Sequence, residues 1–357
     1  MAHDWHGSRV NTRRVFHSVG MYLHIIKSSF TQRTSTRANE ILLRSIETHL
    51  RTVQTKRTHQ KLIRKIEHEL RFNETKNIAV AYNDYVRRRV DKIALIGAGK
   101  MGGALIQSWT NLGLSSDNLI IVDPKPSGIV RKFANEHNVP LHENVDEIGS
   151  SSVFVLAIKP QESGEVLPRL RRFVRNRTLI ISIMAGKTIR GIQSNFQSGV
   201  GVVRAMPNLP AIIGRGITAA IANEIVTTEQ RELAAALLSA TGGVVWVAEE
   251  NMMDAVTAVS GSGPAYVFLL AEYLVKAATA AGLPIELASR LAKETVAGAG
   301  ELLDHSDDDP AVLRRNVTSP GGTTAAALEI LMGSDGFEAL LNKAVAAATK
   351  RSRELAD

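Results

Sequence analysis

Two short stretches of this sequence concentrate backbone amide groups where an anion could use them. The first, Gly97-Ala98-Gly99-Lys100-Met101-Gly102, spaces its glycines as G-x-G-x-x-G at the end of the apolar run 92–97. Gly97 permits a tight turn, Gly99 lets the backbone approach a pyrophosphate, and Gly102 lets a helix pack closely on a strand. Together with the free N–H groups of a following helix, the stretch has the makings of a dinucleotide site. The second, Ser319-Pro320-Gly321-Gly322-Thr323-Thr324, precedes an apolar helical pattern over 325–331. Its glycines and threonine hydroxyls suit either a bound carboxylate or phosphate, or ordinary capping of that helix by one threonine. A third cluster, Ser260-Gly261-Ser262-Gly263-Pro264, reads as a cap for the helix that starts at Ala265.

Other residues narrow the chemistry. Asp123 stands about 20 residues past the last glycine, where an acid accepts hydrogen bonds from adenosine ribose hydroxyls. Lys125 could instead meet a 2′-phosphate, and Asp123 could equally be a strand-end turn acid in Asp-Pro-Lys-Pro, so NADH and NADPH both stay open. There is no cysteine, and beyond residue 91 the only histidines are His137, His142 and His305. Thiolate nucleophiles and disulfides are therefore excluded, and no metal site is expected. Hydride transfer needs none of these groups, because the cofactor supplies the hydride and the protein orients both partners. Lys159, before Pro160, reads as a phosphate-steering cation or a solvated strand-end lysine. Lys276 reads as a snorkelling stem and Tyr266 as core packing.

The elements that must hold these residues follow from periodicity. Apolar runs over 92–97, 118–122, 153–158, 178–183 and 200–205 alternate with helical patterns over 103–112, 127–137, 161–173 and 188–196. Segments 217–222, 229–238 and 244–247 complete the set. Strands separated by helices predict an α/β doubly wound parallel sheet with its ligands at the carboxyl ends of the strands. After Glu249 the pattern is helical: 252–260, 265–281, 285–303, 310–317, 324–331 and 337–355. Several of these helices are apolar nearly all round, which predicts burial against a second chain in an obligate homodimer. The run 267–281 is interrupted by Glu272 and Lys276, so it reads as a buried bundle helix rather than a membrane span.

The formal net charge of +8 has one source. Residues 1–91 hold 18 Lys and Arg against 8 Asp and Glu, and the remainder holds 25 against 27. The body therefore lacks an electrostatic footprint for nucleic acid. The basic stretch has the flavour of a transit peptide up to Asn39, then a helical pattern through Ile41, Leu42, Ile46, Leu62, Ile63, Ile66 and Leu70. It is a targeting segment, a partner-binding helical arm, or upstream sequence read from a wrongly assigned start. The expected organisation is a basic extension over 1–89, a Rossmann dinucleotide-binding domain over 90–249, and a helical substrate-binding and dimerisation domain over 250–357.

Five motifs in order resemble the pyrroline-5-carboxylate reductase family: residues 96–102, Ala157-Ile158-Lys159-Pro160, residues 204–210 (Arg-Ala-Met-Pro-Asn-Leu-Pro), residues 259–266 (Val-Ser-Gly-Ser-Gly-Pro-Ala-Tyr) and residues 319–324. The resemblance covers about residues 92–355. It implies a Rossmann domain followed by an all-α domain that interleaves with a partner, in dimers that often build decamers. It implies reduction of 1-pyrroline-5-carboxylate to L-proline with NADPH or NADH, the last step of proline biosynthesis. Gly97, Ala98, Gly99, Met101, Gly102, Asp123, Asn144, Ala157, Lys159, Pro160 and Ala185 would line the cofactor. Glu250, Asn316, Gly322, Thr323 and Thr324 would lie at the substrate, with Ser319 beside them; the substrate is expected to bind as the iminium, or to gain a proton from a hydroxyl or water near Thr257. The cytoplasm is the expected compartment, or the mitochondrion if the extension is a transit peptide. Two rivals stand beside this reading: a related hydroxy-acid dehydrogenase using Lys276, and a non-catalytic nucleotide sensor.

Overall fold

The computed structural model describes residues 90–196 and 199–355, together with Val86, all within one compact unit. The transit-like and helical expectations for residues 1–85 lie outside the described residues. Val86 is fully buried in a core cluster, and its carbonyl accepts from the Val90 N–H at 3.0 Å. The packed core thus reaches four residues upstream of the boundary expected at residue 90.

Eight strands form one sheet: β1 (Ile93–Ile96), β2 (Leu119–Val122), β3 (Leu141–His142), β4 (Val153–Leu156), β5 (Leu179–Ser182), β6 (Gly201–Met206), β7 (Gly216–Ala222) and β8 (Gly242–Trp246). Their order is β3-β2-β1-β4-β5-β6-β7-β8. β1, β2, β4 and β5 are buried at every residue, as apolar runs covered on both faces must be. All pairs are parallel except β6 with β7, which run antiparallel. The doubly wound parallel sheet expected from the sequence is present, with that one pair reversed. The cause is connection length: nine residues separate Met206 from Gly216, fewer than a parallel crossover needs.

Helices α1 (Lys100–Asn111), α2 (Gly128–Glu136), α3 (Ser163–Leu170), α4 (Ile189–Gln193) and α5 (Thr228–Ser239) cover the sheet. The alternation along β1 splits the core in two. Ile93 and Leu95 join Leu105, Trp109, Leu233 and Leu237 on one face, while Ala94 and Ile96 join Phe154, Leu167, Leu170 and Ile192 on the other. The buried Trp109 indole donates to the Leu237 carbonyl at 2.7 Å, tying α1 to α5. A buried polar group of this kind must be paired, so the bond fixes how the two helices sit.

Past β8 come α6 (Met252–Val256), a π-helical turn (Thr257–Gly261), α7 (Gly263–Ala280), α8 (Ile285–His305), α9 (Pro310–Asn316), α10 (Thr323–Leu331) and α11 (Phe337–Leu355). The single helical pattern expected over 252–260 is in fact α6 running into the π turn. Met252–Ala280 as a whole is long and apolar enough to cross a membrane by length and composition. Within the single chain α7 and α10 bury no residue, and α8 buries only Ala288 and Ala292. Phe268, Leu274, Leu291, Ile330 and Leu340 all stay exposed.

Candidate functional site

The strand order reverses between β1 and β4, and in such sheets the ligand crevice opens there, above the carboxyl ends. The glycine turn sits at the end of β1. Gly97 has φ +95°, a conformation that favours glycine, and a Cβ there would come within 2.7 Å of the Ala157 carbonyl oxygen. A Cβ on Gly102 would come within 2.2 Å of the Gly97 carbonyl oxygen. Gly99 differs: it is exposed, and the space a Cβ would fill holds nothing within 4 Å. Gly99 is also the N-cap of α1, which has no side-chain cap and no acid in its first turn. An open face, unpaired amides and the positive end of a helix fit a dinucleotide pyrophosphate. Met101 lies in that first turn, half-buried.

Beyond the turn lies the end of β2. Asp123 Oδ2 accepts from the Ala98 N–H at 2.7 Å, and Oδ1 accepts from the Lys125 N–H at 2.8 Å. The Ala98 amide is thus committed inward to Asp123. Beside this lies a cleft of about 590 Å³ whose lining includes Ile96, Val122, Pro124, Asn144 and Ile158. Asn144 Oδ1 accepts from the Asp146 N–H at 3.0 Å and from the Arg169 guanidinium. Any contact of Asn144 with a ligand therefore falls to its Nδ2 donor. The hydrogen bond from Arg169 holds the Asp146 carboxyl below the usual aspartate range, and the same pairing pushes Arg169 up. On the other side of the crevice, Ala157 is half-buried and its N–H donates to the Ile96 carbonyl at 2.7 Å. Lys159 is exposed and starts the short 3-10 turn Pro160–Glu162. Ala185 is exposed at the end of β5. Its neighbour Gly186 has φ +76°, and a Cβ there would lie 2.9 Å from the carbonyl oxygen of Leu355, at the end of α11.

The expected substrate residues fall into two groups. Glu250 is half-buried, and its Oε1 accepts from the buried Arg204 guanidinium at 2.8 Å and from the Ile189 N–H at 2.8 Å. Thr257 donates its hydroxyl to the Met253 carbonyl at 2.8 Å, which leaves its oxygen lone pairs as the outward-facing chemistry. Both residues lie where the sheet gives way to the helices. Asn316, Ser319, Gly322, Thr323 and Thr324 form the second group, at the junction of α9 and α10. Gly321 turns the chain with φ +69°, and Gly322 donates its N–H to the Ser319 carbonyl at 3.0 Å. The N-cap of α10 is Gly322, without a side-chain cap, and no acid stands in the first turn. Neither threonine caps the helix. By contrast Ser127, Thr188 and Thr227 cap α2, α4 and α5 with side-chain hydrogen bonds.

Two residues of this region were missed by reading the sequence. Arg204 on β6 stands inside a quoted motif, but only the fold brings it to Glu250, 46 positions away. Ser260, expected in a helix cap, has its Oγ buried and unpartnered in the π turn. The π-helical turn itself is a common marker of functional sites, and a Cβ on its Gly261 would come within 2.6 Å of Met206 Cε at the end of β6. Lys276 is exposed and donates to Glu272 at 2.6 Å. That hydrogen bond pushes its ammonium above the usual lysine range, the wrong direction for a general base.

Residues 250–355 match the family model described as pyrroline-5-carboxylate reductase dimerisation, and residues 92–186 match one described as NADP oxidoreductase, coenzyme F420-dependent. The pyrroline-5-carboxylate reductase of Pseudomonas aeruginosa is 40% identical over 267 residues, covering 74% of this chain and 97% of that protein. That of Synechocystis is 41% identical over 266 residues, covering 74% and 98%. The pea enzyme is 36% identical over 266 residues, covering 74% and 95%. Among solved structures, the enzyme from Coxiella burnetii superposes with a TM-score of 0.70 at 32% identity, covering 75% of this chain and 99% of that one. The Plasmodium falciparum enzyme with NADP bound gives 0.65 at 29%, covering 74% and 98%.

Proposed function

The chain belongs to the pyrroline-5-carboxylate reductase family, and on that footing we propose that it reduces 1-pyrroline-5-carboxylate to L-proline with NADH or NADPH. It is an oxidoreductase acting on a carbon–nitrogen double bond. A reduced nicotinamide, when bound, supplies the hydride that adds to the imine carbon, and a proton ends on the nitrogen. Everything else falls to the side chains and amides of the protein.

The observation that carries the reading is the uncapped start of α10. A helix start with a glycine cap, no acid and two threonine hydroxyls holds a ring carboxylate by charge-assisted hydrogen bonds, which fixes the ring face offered for attack. In this reading Gly322, Thr323 and Thr324 bind the carboxylate, with Ser319 and Asn316 closing the turn around it. Thr257 accepts a hydrogen bond from the protonated imine nitrogen through the lone pairs left by its bond to Met253. Glu250 holds Arg204 and the start of α4 in place beside the site. Gly97, Gly99, Met101 and Gly102 hold the pyrophosphate, with Ala98 committed to Asp123. Ala157, Lys159, Pro160 and Ala185 line the nicotinamide side of the crevice, and Asn144 lies on the adenosine side.

The helical half carries a dimerisation region. A second copy covers the exposed faces of α7, α8 and α10, and brings its own α10 turn to the glycine crevice of the first. Dimers of this kind can build decamers. The basic extension, the nucleotide-binding domain and the dimerising domain divide near residue 90 and at 249–250, with Val86 already packed into the nucleotide-binding core. The enzyme works in the cytoplasm, or in the mitochondrion if residues 1–89 are a transit peptide; a fluorescent fusion of those residues distinguishes the two. The reaction is tested by incubating the full chain with pyrroline-5-carboxylate and reduced nicotinamide and following the fall in nicotinamide absorbance as proline accumulates. Nucleotide binding without proline formation would sink it.

A further inference from the structure

The end of the last helix touches two parts of the chain that the reaction needs close together. Within the single chain α11 leaves Phe337, Leu340 and Leu341 exposed, and the one residue it buries is a serine, Ser352. A hydroxyl taken out of water has to be paired. Ser352, 6% exposed, donates its hydroxyl to Asp254 Oδ1 at 2.7 Å, across 98 positions of sequence. Arg353 also approaches this carboxylate, with Nε 3.8 Å from Oδ2, but its side chain stands mostly in water and contributes little.

Asp254 lies in α6, one turn ahead of Thr257. The Thr257 N–H donates to the carbonyls of Met253 and Asp254, and its hydroxyl donates to Met253. Shifting Asp254 therefore shifts Thr257. At the other end of the same helical turn, the carbonyl oxygen of Leu355 lies 2.9 Å from where a Cβ on Gly186 would stand. Gly186 is buried with φ +76° and follows Ala185 in the loop after β5. That loop is held at its far end as well, where the Ile189 N–H donates to Glu250 at 2.8 Å. One turn of helix, Ser352 to Leu355, thus bridges the segment that carries Thr257 and the loop that carries Ala185.

We propose that Ser352, acting through Asp254, is a positioning residue that sets the gap between the nicotinamide and Thr257. The inference rests on the imine-reductase reading of the crevice, and adds to it a residue that touches neither ligand. Both ligands are anchored elsewhere, the pyrophosphate at the glycine turn and the ring carboxylate at the start of α10. Losing the Ser352 bond therefore spoils alignment and leaves affinity alone. A misplacement of about 1 Å can cost about 100-fold in rate, so a fraction of that suffices for a tenfold loss.

The test is steady-state turnover of the full chain with pyrroline-5-carboxylate and NADH, repeated with NADH deuterated at the transferred position. Ser352→Ala should lower kcat at least about tenfold, while the substrate KM and the NADH Kd each move less than about twofold. The deuterium effect on its kcat should be large, because hydride transfer then limits turnover rather than product release. Asp254→Ala should reproduce the defect, and the double variant should be no worse than either single one. Ser352→Thr keeps the hydroxyl and Asp254→Asn keeps an acceptor for it, so each should recover most of the lost kcat. A parental kcat in Ser352→Ala overturns the proposal. So does a defect that falls on KM or Kd, one without a deuterium effect, one that neither conservative variant relieves, or one that multiplies in the double variant. A Ser352→Ala chain that no longer folds or binds NADH overturns it too, since the bond would then hold the domain and not the gap. If the unaltered chain binds NADH and forms no proline, the reductase reading falls first; if it turns over and Ser352→Ala matches it, only the positioning role falls.

Discussion

Thr324 occupies the second position of α10, behind a glycine cap that offers no side chain. Its hydroxyl belongs to the same first turn as the free amides. Replacing it with alanine leaves the helix and its amides intact and removes one hydrogen bond to a charged group. Such bonds contribute about 1.5–3 kcal/mol, so Thr324→Ala should raise the substrate KM at least about tenfold. The Kd for reduced nicotinamide, measured by fluorescence, should change less than about twofold; equal weakening of both ligands would remove the carboxylate role. Gly102 argues the other way. Its Cβ position lies 2.2 Å from the Gly97 carbonyl oxygen, a backbone atom that cannot swing aside. Gly102→Ala must therefore push α1 off the glycine turn, and dinucleotide affinity should fall at least about tenfold. Retention of native affinity would mean the turn is not the pyrophosphate site. Both stretches could be read from the chain because each is contiguous: the glycines and threonines that act together are neighbours in sequence. Glu250 shows the limit. The family resemblance alone implies its place at the substrate, and its carboxylate is held by Arg204 and the Ile189 amide, partners 46 and 61 positions away. Nothing in local spacing reports a pair of that separation.

At the scale of elements, that same pair joins the two halves of the fold. Arg204 is 5% exposed on β6, Glu250 stands just before α6, and the Ile189 amide belongs to the start of α4. Removing one partner of a buried pair leaves an uncompensated charge, which costs about 3–5 kcal/mol when fully buried. Glu250 is partly exposed, so water relieves some of this, and Glu250→Ala should destabilise the fold by about 2–3 kcal/mol in denaturant unfolding. A double variant with Arg204→Met should recover part of that loss, because the orphaned charge is gone. If Glu250→Ala unfolds like the parent, the clamp contributes nothing and the residue is free for a ligand role. The elements themselves were legible wherever a long run carried one period. β1, β2, β4 and β5 announce themselves as unbroken apolar runs because both faces are covered. β3 was missed because it has only two residues, Leu141 and His142, and is defined by pairing with β2 rather than by pattern. The direction of β7 is not written in its own residues: alternation marks a strand but not its polarity, which the short connection from β6 settles.

The whole molecule poses a problem that one chain does not solve. α7 presents Phe268 at 59% exposure and Leu269 at 48%, and α10 presents Ile330 at 77%. Contiguous apolar surface on this scale marks an interface, and the region that carries it matches a dimerisation family. The turn at Ser319–Thr324 belongs to this uncovered part of the chain, so its job is tied to what covers it. Phe268→Glu should therefore lower the mass in solution toward the single-chain 38.7 kDa, and activity should fall with it even though no glycine or threonine of the site has changed. Complementation tests whether the site is shared. Gly99→Val places a side chain in the open face of the glycine turn, and Thr324→Ala weakens the carboxylate turn. Each chain alone should be poorly active at substrate concentrations well below KM. Co-expressed at equal levels, half the dimers are mixed, and each mixed dimer has one site built from two unaltered clusters and one built from two altered ones. About one quarter of the normal sites are then intact if the clusters come from different chains. Activity restored to that level would establish that the glycine turn of one subunit works with the threonines of the other. No gain over the two separate variants would place both clusters of each site within a single chain, and the exposed helices would then owe their apolar faces to assembly alone.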